Sequence, residues 1–179
     1  MEPSHSVVAR NNVTINGSGS TVLMLAHGFG CDQNMWRHLL PYFDEQYTVI
    51  LFDYVGCGAS DYSAYDKDRY SSLTGYAQDV LEICEALSLK DVTFIGHSVS
   101  SMIGMHAAIQ SPHIFSKLAM ICPSPCFLNF PPEYEGGFDK EDLEELINLM
   151  DKNYVGWANY LAPLVMGQAT DAALTQELE

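Results

Sequence analysis

Gly96, Ser98 and Ser100 stand two residues apart within Val92-Thr93-Phe94-Ile95-Gly96-His97-Ser98-Val99-Ser100-Ser101-Met102. This is the spacing of a nucleophile elbow, G-x-S-x-G, in which a strand turns sharply into a helix and projects a serine hydroxyl from the bend. A serine so held can attack an electrophilic carbon. The bend is strained, so the residues two before and two after the serine must be small for strand and helix to pass closely. Gly96 meets that need, and Ser100 is a small departure from the second glycine. The plainer reading of the stretch is a βα turn whose serine only caps the helix.

A second motif weighs against the capping reading. His27-Gly28-Phe29-Gly30 follows the apolar run Val22-Leu23-Met24-Leu25-Ala26, at the end of an inner strand, where a backbone oxyanion hole is built in proteins that carry the elbow. Acyl transfer places negative charge on an oxygen in its transition state, and each preorganised N–H donor is worth about 3 kcal/mol. The candidate donors are the amides of Phe29 and of Val99, the latter directly after Ser98. Two motifs in this order, each at the C-terminal end of a strand, point together to acyl chemistry.

The elements that must hold these residues alternate. Val7–Arg10 and Val13–Ile15 read as two short strands of an antiparallel hairpin. Val22–Ala26 reads as a strand buried on both faces, and Asp32 as the cap of a helix carrying Met35, Trp36, Leu39 and Leu40. Thr48–Phe52 is the next strand, closed by Asp53 and a two-glycine loop. Leu73, Tyr76, Ala77, Val80, Leu81 and Cys84 mark one face of an amphipathic helix. The elbow strand and its helix follow, then a strand over Leu118–Cys122. Such alternation means a mostly parallel sheet flanked by helices, an α/β fold. Beyond the prolines at 123, 125, 131 and 132, nothing reads as a strand. Asp139 is placed to cap a helix with Leu143, Leu146, Ile147 and Met150 on one face. A second helix holds Tyr154, Trp157, Leu161, Leu164 and Val165.

Composition closes off several functions. A formal charge of −15 with only 8 Lys and Arg argues against nucleic acid and against anionic membrane as partners. Five cysteines form no C-x-x-C pair and no zinc spacing with histidine, which fits reduced thiols in the cytoplasm. The N-terminus carries no signal-peptide pattern, and no apolar run reaches membrane-spanning length. No metal and no cofactor is called for.

The chain resembles the α/β-hydrolases, and within them the RsbQ-type branch, which holds a bacterial stress regulator and the plant strigolactone and karrikin receptors. The resemblance is carried by residues 27–33, 68–71 and 96–104, by Ser124-Pro125 and Gly136-Gly137-Phe138, and by Asn153-Tyr154-Val155-Gly156-Trp157. In that branch a serine at the position of Ser100 is usual. The resemblance implies an α/β-hydrolase fold with residues 1–126 as the N-terminal part of the core and 127–179 as the first part of a helical lid. It implies Ser98 as nucleophile, and Phe29, Phe127, Trp157 and Leu161 lining an apolar cavity for a small hydrophobic, ester-type ligand. It also implies a partner phosphatase with a PAS domain, in an energy-stress pathway that activates the sigma-B factor.

The same resemblance implies a triad of Ser, Asp and His in that chain order. All six histidines (His5, His27, His38, His97, His106 and His113) lie before or just after the elbow, and the side chain of His97, next to Ser98, points away from it at the turn. Such folds run to roughly 250 residues, so the expectation is a C-terminally incomplete hydrolase lacking the last strands, the acid and the base. Two functional readings follow. One is a serine hydrolase that by itself lacks turnover, since an unassisted serine is a weak nucleophile. The other is a non-catalytic small-molecule sensor. A serine in place of an aspartate disfavours dehalogenase or epoxide-hydrolase chemistry.

Overall fold

The computed structural model describes residues 6–43 and 46–166. The chain divides into two units, Met1–Pro125 and Cys126–Glu179.

Among the described residues the first unit is built on five strands: β1 (Thr14–Gly17), β2 (Thr21–Ala26), β3 (Tyr47–Leu51), β4 (Val92–His97) and β5 (Phe115–Ile121). They lie in the order β1-β3-β2-β4-β5. β1 runs antiparallel to β3, and all other pairings are parallel. Helix α2 (Leu73–Ala86) precedes β4, and α3 (Val99–Gln110) follows it. Side chains alternate along β2. Met24 and Ala26 join Ile50, Phe52, Val80, Ile83, Phe94 and Ile103 in one core. Leu23 and Leu25 join Trp36, Val49 and Leu51 in another on the opposite face. A strand buried on both faces needs such a continuous apolar run, as the sequence of β2 predicts.

The start of the chain departs from its sequence reading. Val7–Arg10 is not a strand but a one-turn helix, α1, with the Ser6 hydroxyl accepting the Ala9 N–H. The hairpin partner expected for Val13–Ile15 is therefore absent, and β1 pairs with β3 instead. Two valines favour a strand locally, but contacts distant in sequence override that preference. Asn11 is fully buried and donates to the Asp53 carbonyl and to Asp79, while Arg10 bonds Asp79 and Glu82. These bonds tie the segment to α2.

The helix expected after Asp32 is two 3₁₀ turns, Gln33–Trp36 and Leu40–Tyr42. Asp32 does cap the first, accepting the Asn34 N–H at 2.8 Å. Pro41 lies in the second turn, where its missing N–H prevents a continuous α-helix. β5 begins at Phe115, three residues before the predicted start, and it pairs only with β4 among the described residues. Leu118, Met120 and Ile121 are each more than a third exposed. A hollow of about 240 Å³ opens beside it, lined by Ala108, Pro112, Phe115, Ser116, Lys117 and Leu118.

The second unit contains α4 (Lys140–Lys152) and α5 (Tyr154–Met166), which pack on each other. Asp139 occupies the cap position of α4, but its carboxylate accepts the Asn129 side-chain amide at 2.9 Å, not a helix N–H. Leu143, Leu146 and Met150 are half-buried, and Ile147 is exposed.

Candidate active site

Parallel pairing of β2 with β4 ends at Ala26 opposite Gly96. The two strands therefore release their chains side by side, His27-Gly28-Phe29 from one and His97-Ser98-Val99 from the other. Ser98 has φ +54° and ψ −121°, a backbone conformation that a residue with a side chain adopts only at about 1–3 kcal/mol. It stands at the N-terminus of α3, yet its hydroxyl makes no capping bond. A serine whose task was to cap would sit in extended backbone with its oxygen on a helix N–H. Ser98 does neither.

The bend depends on Gly96. A Cβ there would stand 2.5 Å from the Ser100 carbonyl oxygen and 2.8 Å from the Ser101 nitrogen, backbone atoms that cannot move aside cheaply. Gly28 is confined by side chains instead. A Cβ on it would lie 2.5 Å from His97 Nδ1 and 3.5 Å from the Ser98 Cβ. The loop after β2 thus packs directly over the elbow, and Phe29 is the next residue along. The Val99 N–H is the first of α3 and has no partner within the helix.

A carboxylate holds the approach to that loop. Asp53, buried at the end of β3, accepts bonds from the Gln33 N–H at 2.8 Å, the Ala59 N–H at 2.9 Å and the Asn12 side chain at 2.8 Å. Burial alone would raise its pKa, but the bonds from Asn12, Gln33 and Ala59 outweigh that and hold it below the usual carboxylate range. Asp53 was legible in the sequence only as the residue closing a strand. That it ties three loops together depends on their meeting in space.

Among the described residues no histidine is set to serve Ser98. The His27 ring is buried and fully used: Nδ1 donates to the Gly28 carbonyl, and Nε2 accepts the Tyr54 N–H at 3.2 Å. His97 has its Nδ1 buried without a hydrogen bond, against the Gly28 backbone. His38 and His113 are exposed, and His106 lies along α3. His5 falls outside the described residues. Burial lowers the pKa of both His27 and His97 from 6.5, and for His97 the nearby His27 lowers it further. A histidine with a folded-state pKa below its unfolded value favours the native state only while neutral. Its contribution is complete above about pH 6.5 and is lost as the pH falls through the folded value. Melting temperature is therefore expected to drop between about pH 7 and pH 5, before carboxylates titrate. His97→Gln should flatten part of that drop. Thermal melts across the range check this, and a flat profile for the wild-type chain would refute it.

Of the other residues predicted for the site, Phe29 in the first unit has a side chain 61% exposed. Phe127, Trp157 and Leu161 belong to the second unit. There Trp157 is buried and packs on Tyr154 with ring centroids 5.3 Å apart, Leu161 is half-buried, and Phe127 is 45% exposed. Sequence reasoning passed over Tyr54 altogether. No spacing rule points to it, because its contacts, to His27 and Ser100, exist only once β3, β2 and β4 lie side by side.

Comparison with known proteins gives a consistent result. A family profile described as alpha/beta hydrolase fold matches residues 21–161. The chain is 44% identical over 173 residues to a karrikin insensitive 2 receptor of Petunia hybrida, covering 97% of this chain and 63% of that protein. It is 41% identical over 172 residues to a strigolactone esterase of Arabidopsis thaliana, covering 96% of this chain and 64% of that one. The structure of a hydrolase from Oleispira antarctica superposes with a TM-score of 0.88 at 61% identity, over 96% of this chain and 63% of that one. The chain therefore spans under two thirds of the length of these proteins. With its sheet order, its strained serine at the end of β4 and a profile match over most of its length, the chain belongs to the alpha/beta hydrolase fold family.

Proposed function

We propose that this chain carries the nucleophile half of a serine hydrolase acting on a small apolar ester. Ser98 attacks the acyl carbon, and the Phe29 and Val99 amides stabilise the resulting oxyanion. The observation that carries this reading is Ser98 itself, a strained serine with no capping bond beside the loop after β2. The similarity to a strigolactone esterase supports ester chemistry. Phe127, Trp157 and Leu161 are the proposed ligand contacts.

Proton transfer falls to a base that the described residues do not place at Ser98. Two measurements test this division of labour. An arylboronic acid equilibrating with the chain should form a tetrahedral adduct, seen by boron NMR and absent from Ser98→Ala. In that adduct Ser98 Oγ bonds boron and the hydroxyl proton passes to solvent, so no general base is needed at equilibrium. Steady-state hydrolysis of p-nitrophenyl acetate should not exceed that of Ser98→Ala. Absence of the adduct would remove Ser98 as nucleophile. A Ser98-dependent burst would mean that one of the histidines does reach the hydroxyl.

A second reading is favoured by a different observation, the 44% identity to a protein named as a receptor. In it the chain binds a small apolar ligand and reports it to a protein partner, with slow or absent turnover. The resemblance to the RsbQ-type branch supports a PAS-domain phosphatase as that partner, in cytoplasmic stress signalling. Among the described residues no helix is long and apolar enough to cross a membrane. Ligand-dependent capture of such a phosphatase, undiminished in Ser98→Ala, would favour the sensor. Capture that is lost with the nucleophile would tie signalling to chemistry.

A further inference from the structure

Ser100 stands where the elbow motif has glycine, and its hydroxyl is fully buried. It lies 2.5 Å from the His27 carbonyl oxygen and 2.9 Å from the Tyr54 hydroxyl. A carbonyl only accepts, so the Ser100 proton goes to His27 and the Tyr54 O–H donates to Ser100. Burial pushes the Tyr54 pKa up, which keeps that donor protonated. Tyr54 also gives its backbone N–H to His27 Nε2, and the two rings meet edge-on with centroids 5.0 Å apart. The contacts close a ring: His27 carbonyl to Ser100 hydroxyl, Ser100 to Tyr54, and Tyr54 back to the His27 imidazole.

The place of this ring gives it meaning. The His27 carbonyl lies one residue past the last paired position of β2, where the sheet no longer fixes the peptide plane. That plane sets the direction of Gly28 and then Phe29. Ser100 belongs to the first turn of α3, the helix whose first amide is Val99. The Ser100 hydroxyl thus bolts the strand-end peptide that leads to one candidate oxyanion donor onto the helix that carries the other.

We propose that Tyr54 and Ser100 are positioning residues that hold the Phe29 amide in register with the Val99 amide. As an account of transition-state stabilisation this rests on Ser98 being the nucleophile; as a statement about the loop it stands alone. Because a donor displaced by a fraction of an ångström loses part of its effect on the oxyanion, the two hydroxyls act on Ser98 chemistry without touching substrate.

The test uses Ser100→Gly, which restores the motif residue, Tyr54→Phe, which removes the hydroxyl and keeps the aromatic side chain, and the double variant. Two readouts are taken on the full chain. Amide hydrogen exchange at residues 28–31 should rise about tenfold in each single variant while exchange in α2 stays unchanged, the signature of local opening. Binding of phenylboronic acid to Ser98, with Ser98→Ala as control, should weaken by about tenfold, short of the loss of a whole donor. The double variant should be no worse than either single, since both break one chain of bonds. Unchanged exchange at residues 28–31, additive losses, or a rise spread equally through α2 would overturn the proposal. If the wild-type chain forms no boronate adduct, the nucleophile reading fails, and the exchange comparison still decides whether the two hydroxyls hold the loop.

Discussion

Replacing Asp79 with alanine is expected to destabilise the chain by about 3–5 kcal/mol, the usual penalty for removing one partner of a buried ion pair. Against a typical domain stability of about 5–15 kcal/mol, that removes a large share of the total. The Asp79 side chain is fully buried within α2, and it is bonded by Arg10 at 3.0 Å and by Arg69 at 2.5 Å. The Tyr70 hydroxyl donates to it at 3.1 Å, and the Asn11 side-chain amide at 3.3 Å. Removing the carboxylate leaves two guanidiniums converging on empty space. Glu82, which also bonds both at 2.7 and 3.0 Å, is partly exposed and compensates only in part. Burial raises the Glu82 pKa, but the bonds from Arg69 and Arg10 outweigh it and leave the net shift downward. Asp79→Asn should be milder, because it keeps the acceptor oxygen. Urea denaturation of the three proteins measures the ranking, and an Asp79→Ala midpoint equal to wild type would refute it.

The second large effect concerns association. β5 has one hydrogen-bonded neighbour among the described residues, and Leu118, Met120 and Ile121 on it are 36–39% exposed. A strand with unpaired N–H and C=O groups along an apolar edge is a template for pairing with another chain. The chain is expected to form concentration-dependent oligomers in neutral buffer despite its net charge of −15. Met120→Lys should move it strongly toward monomer, since a charge on an edge strand opposes such pairing. Light scattering after size exclusion reads the result directly. A monomeric wild-type chain with a sharp, reversible melt would show that this edge is not adhesive.

Much of this architecture was legible in the order of residues because its causes are local or periodic. β2 announced its double burial through five successive apolar residues, and α2 its inward face through spacing near 3.6. The elbow was legible for a stronger reason: a Cβ at Gly96 would stand 2.5 Å from the Ser100 carbonyl oxygen, so the bend dictates the residue. Sequence alone also established that residues 114–179 hold no histidine, and it placed Ser98 and His27-Gly28-Phe29 at the ends of strands.

Only the tertiary structure decided that these ends are neighbours, through the pairing of Ala26 with Gly96. It also decided against the sequence at Val7–Arg10, where buried bonds from Arg10 and Asn11 outweigh the β-preference of two valines. The hydrogen bonds of Asp53, Tyr54, Asp79 and Ser100 appear only there. Their bonding partners lie up to 73 residues away along the chain, and a hydrogen bond across such a separation leaves no periodic trace. Apolar pattern repeats with the element that carries it and is readable in one dimension. A polar contact is specified by two positions at once, and the second is known only when the chain has folded.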